Sequence, residues 1–377
     1  MNHTNQLTPR LTKQTMVKTL KTTVSAFILI WSAATAVADE IRTMRFGEQV
    51  LVHTHWQEVL NHSIDRVINP DDYQCLPNND VIAWLMAQLE GVDPTTLQIL
   101  RDNDVFSTLA PYKIFFDNDA TDETIGLYGQ YTQETRKRHK SNQRFWDVPT
   151  DDVLLMGMHG RVLADDTKMV PYVQWALGMS MEQAQGLVDA LQGLIENDPV
   201  LDYDNPLFSF NAFAASFGGA PIPGIGVIPD KIVLGDGLLQ LMEALGLDDV
   251  ASDFIHAHEF AHHVQFEIGA NTPPSPEATR RTELMADAFA AYYSSHARGA
   301  TFQAKRFADV MNAAFVAGDC AFASPGHHGT PNQREAAAAW GGEVSASADN
   351  QGKIFSSNDM LERFEAILPT LVAPDAE

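Results

Sequence analysis

The side chains able to do chemistry gather in two stretches of this 377-residue chain, "FIHAHEFAHHVQFEIG" from Phe254 and "TRRTELMADAFAAYYSSHARG" from Thr279. In the first, four histidines fall within eight residues, with one glutamate among them. An α-helix advances about 100° per residue, so positions i and i+4 share a face. His258 and His262 form such a pair and can close on one ion. Glu259, beside the first histidine, can reach a water on that ion without binding it. This is the H-E-x-x-H arrangement of two zinc ligands and a general base. His256 and His263 fall off the shared face and read as ordinary surface histidines or outer partners.

A catalytic zinc takes three protein ligands and keeps one position open. The extended form H-E-x-x-H-x-x-G-x-x-H would need Gly and His where the chain has Gln265 and Ile268, so that class is excluded. The second stretch offers a carboxylate instead. Its pattern is helical, and Glu283 and Asp287 stand four apart on one face. Glu283 can be the third ligand, and Asp287 can accept a hydrogen bond from a ligand histidine and fix its tautomer. The only cysteines are Cys75 and Cys320, so a zinc site must be built from His and carboxylate. The two cysteines either form one disulfide, as an exported protein allows, or stay as buried thiols.

The elements that must carry these residues follow from periodicity and punctuation. Ser252 or Asp253 is placed to cap the motif helix and Gly269 to stop it. Upstream, "KIVLG" predicts a short strand, read as an exposed edge able to pair with an extended peptide. "GLLQLMEAL" predicts a helix, and "DVLLMGMHG" another strand in which His159 is structural. "VPYVQWALGMSMEQAQGLVDALQGLIEND" predicts one or two helices with Leu187, Leu191, Leu194 and Ile195 as a core stripe. "HTHWQEVLNHSIDRVI" and "DVIAWLMAQLEG" predict helices, and "YKIFF" a buried strand. The acidic "DNDATDETIG" lacks the Gly and terminal Glu of a calcium loop and reads as a solvated turn. The basic run from Arg136, "RKRHKSNQR", reads as solvated or salt-bridged.

The N-terminus has lysines, an apolar run and Ala36-Val37-Ala38 before Asp39, the pattern of a secretory signal peptide over residues 1–38. The protein is expected to be exported, to the periplasm or the medium. Later stretches do not reach membrane-spanning length, so no stable membrane span is expected after cleavage. The whole chain has a formal charge of −24; without residues 1–38, 21 basic side chains face 49 acidic ones. Such a surface disfavours nucleic acid as a partner.

"HEFAHHVQ" followed by "ELMADAFAAYY" resembles the zinc metallopeptidases whose third ligand is Glu. The chain is most similar to the bacterial neutral zinc metallopeptidase family and, more distantly, to HtpX-like peptidases. "AGDCAFASPGHHGTPNQREAAAAWG" resembles a downstream family segment, here with His328, Gly329, Thr330, Gln333, Arg334 and Trp340. "NAFA" and "DKIVLGDGLL" resemble the strand region before the motif helix. Ala261, Ala288 and Cys320 stand where Gly, Cys and Asp are frequent. The resemblance covers roughly residues 205–341.

It implies an α+β, mainly helical zincin-like domain with a small sheet over 151–377, to which 39–150, a mixed α/β region, can be an integral extension. It implies one Zn2+ per chain on His258, His262 and Glu283, with peptide or unfolded protein as substrate. Glu259 then takes the proton of the attacking water and passes it to the leaving amine. His328 is the candidate donor to the oxyanion, with His327 its neighbouring rival. Arg334 would anchor its loop by a salt bridge to a site carboxylate. The alternatives are a catalytically inactive, peptidase-like binding or scaffold protein and a hydrolase of small amides. Retention of Glu259 argues against the first.

Overall fold

The computed structural model describes residues 80–373 except 220, 223–224, 249, 271–274, 318–327 and 348–351. The expected signal peptide, the helix predicted around Trp56, both cysteines and His327 lie outside the described residues.

The fold is α+β and mostly helical. Helices α1 (Asp80–Leu89), α2 (Pro94–Asp102), α3 (Leu109–Phe115) and α4 (Thr132–Phe145) come first. After strand β1 (Leu154–Met158) come α5 (Asp166–Leu177) and α6 (Met181–Asn197). Gly178, at φ +62, occupies the left-handed conformation that ends α5. A Ser180/Gln183 capping box then starts α6. The predicted Leu stripe of α6 faces inward, with Leu187 and Ile195 buried and Leu191 and Leu194 partly buried against the core.

Strands β2 (Ala212–Ala215), β3 (Pro221–Ile222), β4 (Gly226–Val227) and β5 (Lys231–Gly235) follow. The main sheet has the order β1-β5-β2, with β1 parallel and β2 antiparallel to β5. β5 is therefore the central strand, and every residue of it is buried. This overturns the reading of "KIVLG" as an exposed edge. A strand covered on both faces reads as a continuous apolar run, and so does a flat edge, so composition does not separate them.

The second half is helical: α7 (Asp236–Ala244), α8 (Ala251–Glu267), α9 (Pro276–Ser295), α10 (Ala304–Val316), α11 (Pro331–Ala346) and α12 (Ser357–Leu371). α8 is the motif helix. It is buried on nearly all sides, packed against α4, α9, β2 and β5. Its first turn corrects the cap expectation: Val250 is the N-cap, without a side-chain bond. Asp253 lies inside the helix and instead takes Arg138 at 2.9 Å and Arg306 at 3.5 Å. Gly269, at φ +65, follows the helix end as expected.

"YKIFF" is not a strand. It lies in α3 and the residue after it. The deciding contact is distant in sequence. Lys231 of β5 is fully buried, and its Nζ donates to the carbonyls of Lys113 and Ile114 at 2.9 and 3.1 Å. It also reaches the Asp117 carbonyl at 2.8 Å and Asn118 Oδ1 at 2.7 Å. An ammonium group thus satisfies carbonyls that the helix end leaves open.

The acidic turn is less solvated than expected. Glu123 pairs with the buried Lys113 at 2.9 Å and accepts from the Gly157 amide at 2.7 Å, tying the turn to β1. The basic run forms α4 and is salt-bridged, Arg138 reaching Glu134 and Asp253. One apolar core runs from Val81 to Leu371. Within it Trp146 stacks on Phe289, and Phe145 meets Tyr292 at a tilt and Tyr293 edge-on, fixing the N-terminal helices to α9. No helix among the described residues is long and apolar enough to cross a membrane.

Candidate metal centre

α8 and α9 lie side by side and supply the three expected ligands. His258 Nε2 is 3.2 Å from His262 Nε2, and the two Glu283 oxygens lie 3.3 Å from the first and 3.5 Å from the second. All three side chains are buried, and one ligand atom from each falls within 4.8 Å of the others. The cluster could hold a metal ion.

The outer contacts test that fit. His258 Nδ1 meets Asp287 Oδ1 at 2.9 Å, so its N–H donates outward to the carboxylate. His262 Nδ1 meets Gln265 Oε1 at 3.1 Å. With both Nδ1 protons used outward, the neutral rings turn two lone pairs toward each other and toward a carboxylate. Electron-rich atoms at such separations call for a cation between them. The same need sets the protonation of His258. Burial opposes a charged ring, but the Asp287 and Glu283 carboxylates outweigh it and raise the group to about 10. Two imidazoles and a carboxylate form a donor set that suits a divalent transition metal.

Asp287 is itself held. Arg334 of α11 grips it with Nε at 2.7 Å and Nη2 at 2.9 Å, a bidentate fork. Its Nη1 donates to the Ala317 carbonyl at 3.0 Å, and Nη2 stands 3.7 Å from Glu283. Arg334 thus carries the salt bridge to a site carboxylate that the sequence suggested. It is placed by the start of α11, where Thr330 and Gln333 form a capping box around Pro331. Close helix contact makes the reach possible. A Cβ on Gly341 would stand 2.1 Å from the Ala288 carbonyl, so α11 approaches α9 where only glycine fits.

Glu259 is buried and lines a small cavity of about 40 Å³ together with His258, Glu283, His328 and Arg334. Its other wall is apolar: Met242, Phe254, Ile255, Ala313 and Ala317. His328 is buried, with Nε2 4.0 Å from Glu283 Oε1. All seven candidates, His258, Glu259, His262, Glu283, Asp287, His328 and Arg334, therefore converge.

His256 and His263 are not surface residues; both are fully buried. His263 Nε2 meets the Lys231 carbonyl at 3.0 Å, anchoring α8 to β5. His256 Nε2 meets His139 Nδ1 at 3.0 Å, and His139 Nε2 meets the Val153 carbonyl at 2.9 Å. His159 bonds Asp236 at 2.7 Å and Thr124 at 3.3 Å, outside the cavity lining. Two partners were missed from sequence, Gln265 and His139. Gln265 had a signal, its place three residues after His262 on one helical face. His139 lies in a basic run far away in sequence and had none. Comparison with known proteins finds no matching family model, no matching curated protein and no matching solved structure.

Proposed function

We propose that the chain is an exported zinc-dependent metallopeptidase of the zincin-like type, with Glu as third ligand. The observation that carries this reading is that Glu259 lines one cavity together with His258 and Glu283, two members of the buried His258, His262 and Glu283 cluster. His258, His262 and Glu283 would hold the ion. Zinc, when bound there, supplies Lewis acidity to the scissile carbonyl and acidifies water. Glu259 accepts the proton of the attacking water and delivers it to the leaving amine. His328 donates to the carbonyl oxygen as charge develops on it. Asp287 and Arg334 keep His258 oriented.

The apolar wall supports peptide over small polar amides as substrate. A peptide that places its carbonyl at the ligand cluster can seat an apolar side chain against Met242, Phe254 and Ile255. Backbone pairing with β5 has no part in this reading, since β5 is the buried central strand.

The test is cleavage of an unfolded protein by zinc-loaded chain, with a Glu259→Gln variant beside it. The expected result is equal zinc content and a loss of at least about 100-fold in the variant. Zinc in both without cleavage by either would move the chain to the binding-protein class. No zinc in either would remove the metal assignment itself.

A further inference from the structure

Gln265 occupies a position that no catalytic role requires, yet it is fully buried between the two ligand-bearing helices. Its Nε2 lies 2.8 Å from the Thr282 carbonyl, and its Oε1 lies 3.1 Å from His262 Nδ1. These contacts settle which end of the amide is which. A carbonyl only accepts, so the NH2 group must face Thr282 and the oxygen must face His262. The oxygen in turn only accepts, so Nδ1 of His262 must carry the proton. The lone pair of His262 is thereby left on Nε2, the atom turned toward His258 and Glu283.

We infer that Gln265 is a positioning residue of the metal centre, fixing the tautomer and ring orientation of His262 and tying them to the residue before Glu283. The inference rests on the metal site proposed above. Two ligand histidines on one helix are thus set by two different devices. His258 is set by a carboxylate that Arg334 neutralises, and His262 by a neutral amide anchored on a backbone carbonyl. The amide adds no charge to a buried site that already holds Glu259, Glu283 and Asp287. It also couples the ligands of two helices, because a shift of α9 at Thr282 moves the acceptor of His262 together with Glu283.

The experiment measures zinc affinity of the full chain by chelator competition, for wild type, Gln265→Leu, Gln265→Met and Gln265→Glu. Folding is followed in parallel by circular dichroism and the thermal midpoint of the metal-free proteins. Either apolar variant, if folded, should bind zinc about 10- to 100-fold more weakly. Gln265→Glu keeps an acceptor for His262 and loses the donor to Thr282. It should recover zinc affinity to within about threefold of wild type while its metal-free midpoint falls. A merely structural role would lower midpoints and leave zinc affinity unchanged in folded variants, which would overturn the inference. A wild-type chain that binds no zinc would overturn the proposed site and the inference with it. Tight wild-type binding with an unchanged Gln265→Leu or Gln265→Met would sink the inference alone.

Discussion

Asp287 is a buried carboxylate gripped by the Arg334 fork at 2.7 and 2.9 Å and bonded by His258 Nδ1 at 2.9 Å. Removing one member of a buried pair leaves the other charge desolvated and uncompensated. Arg334→Met should therefore destabilise the fold by about 3–5 kcal/mol, read as a lower denaturant midpoint. Arg334→Lys keeps the charge without the planar fork and should fall between wild type and Arg334→Met in both stability and zinc affinity. A Lys variant equal to wild type in both would show that charge alone suffices at this position. The candidate ligands and Asp287 were legible in the sequence because their spacing is local: His258 and His262 at i, i+4 on α8, Glu283 and Asp287 at i, i+4 on α9. Arg334 was reached only through resemblance, since nothing local links it to residues some fifty positions earlier. Gln265 was read as the absence of a glycine, although its spacing from His262 pointed to the bond it makes.

Among the elements, long periodic helices and the strands next to the motif were legible, and the exceptions share one cause. "YKIFF" has strand composition but becomes the end of α3, because Lys231 from β5 caps it and no strand pairs with it among the described residues. "KIVLG" was identified as a strand, but its central place depends on β1 and β2, which lie on either side only after folding. The Ser252 and Asp253 cap failed because Arg138 and Arg306 claim Asp253 within the helix. In each case a tertiary contact overrode a local preference. The helix pair that presents Glu283 and Arg334 depends on one small residue. A Gly341→Ala methyl would stand 2.1 Å from the Ala288 carbonyl, which is backbone and cannot swing aside. The variant should lose about 1–3 kcal/mol of stability by overpacking. Because α9 and α11 must separate, zinc affinity should fall as well. Gly342→Ala, whose methyl meets the Phe307 ring rather than backbone, makes a useful control. It should cost stability while leaving the Asp287–Arg334 distance, and hence zinc affinity, nearer wild type.

At the scale of the whole molecule, the acid side of the pH response includes a contribution from the histidines that the core keeps neutral. His139 is buried between α4 and α8, and desolvation, only partly opposed by the Val153 carbonyl, holds it down at about 4. Coulomb repulsion from His263 and Lys140 adds to the depression, and burial depresses its partner His256 as well. In the unfolded chain His139 returns to about 6.5. Between these values the unfolded state binds a proton that the folded state refuses, so stability rises with pH and is lost as acid is added from about 6.5 toward 4. His139 alone should cost about 2–3 kcal/mol over that window. The measurement is urea unfolding of the metal-free chain at pH 7 and pH 4.5, for wild type and His139→Gln. The variant starts less stable, because it loses the His256 contact, but it should lose about 2 kcal/mol less on acidification. Carboxylate protonation acts on both proteins and cancels in the comparison. Equal losses would mean that the His139–His256 contact admits a proton in the folded state, and that α8 tolerates a charge behind its ligand histidines.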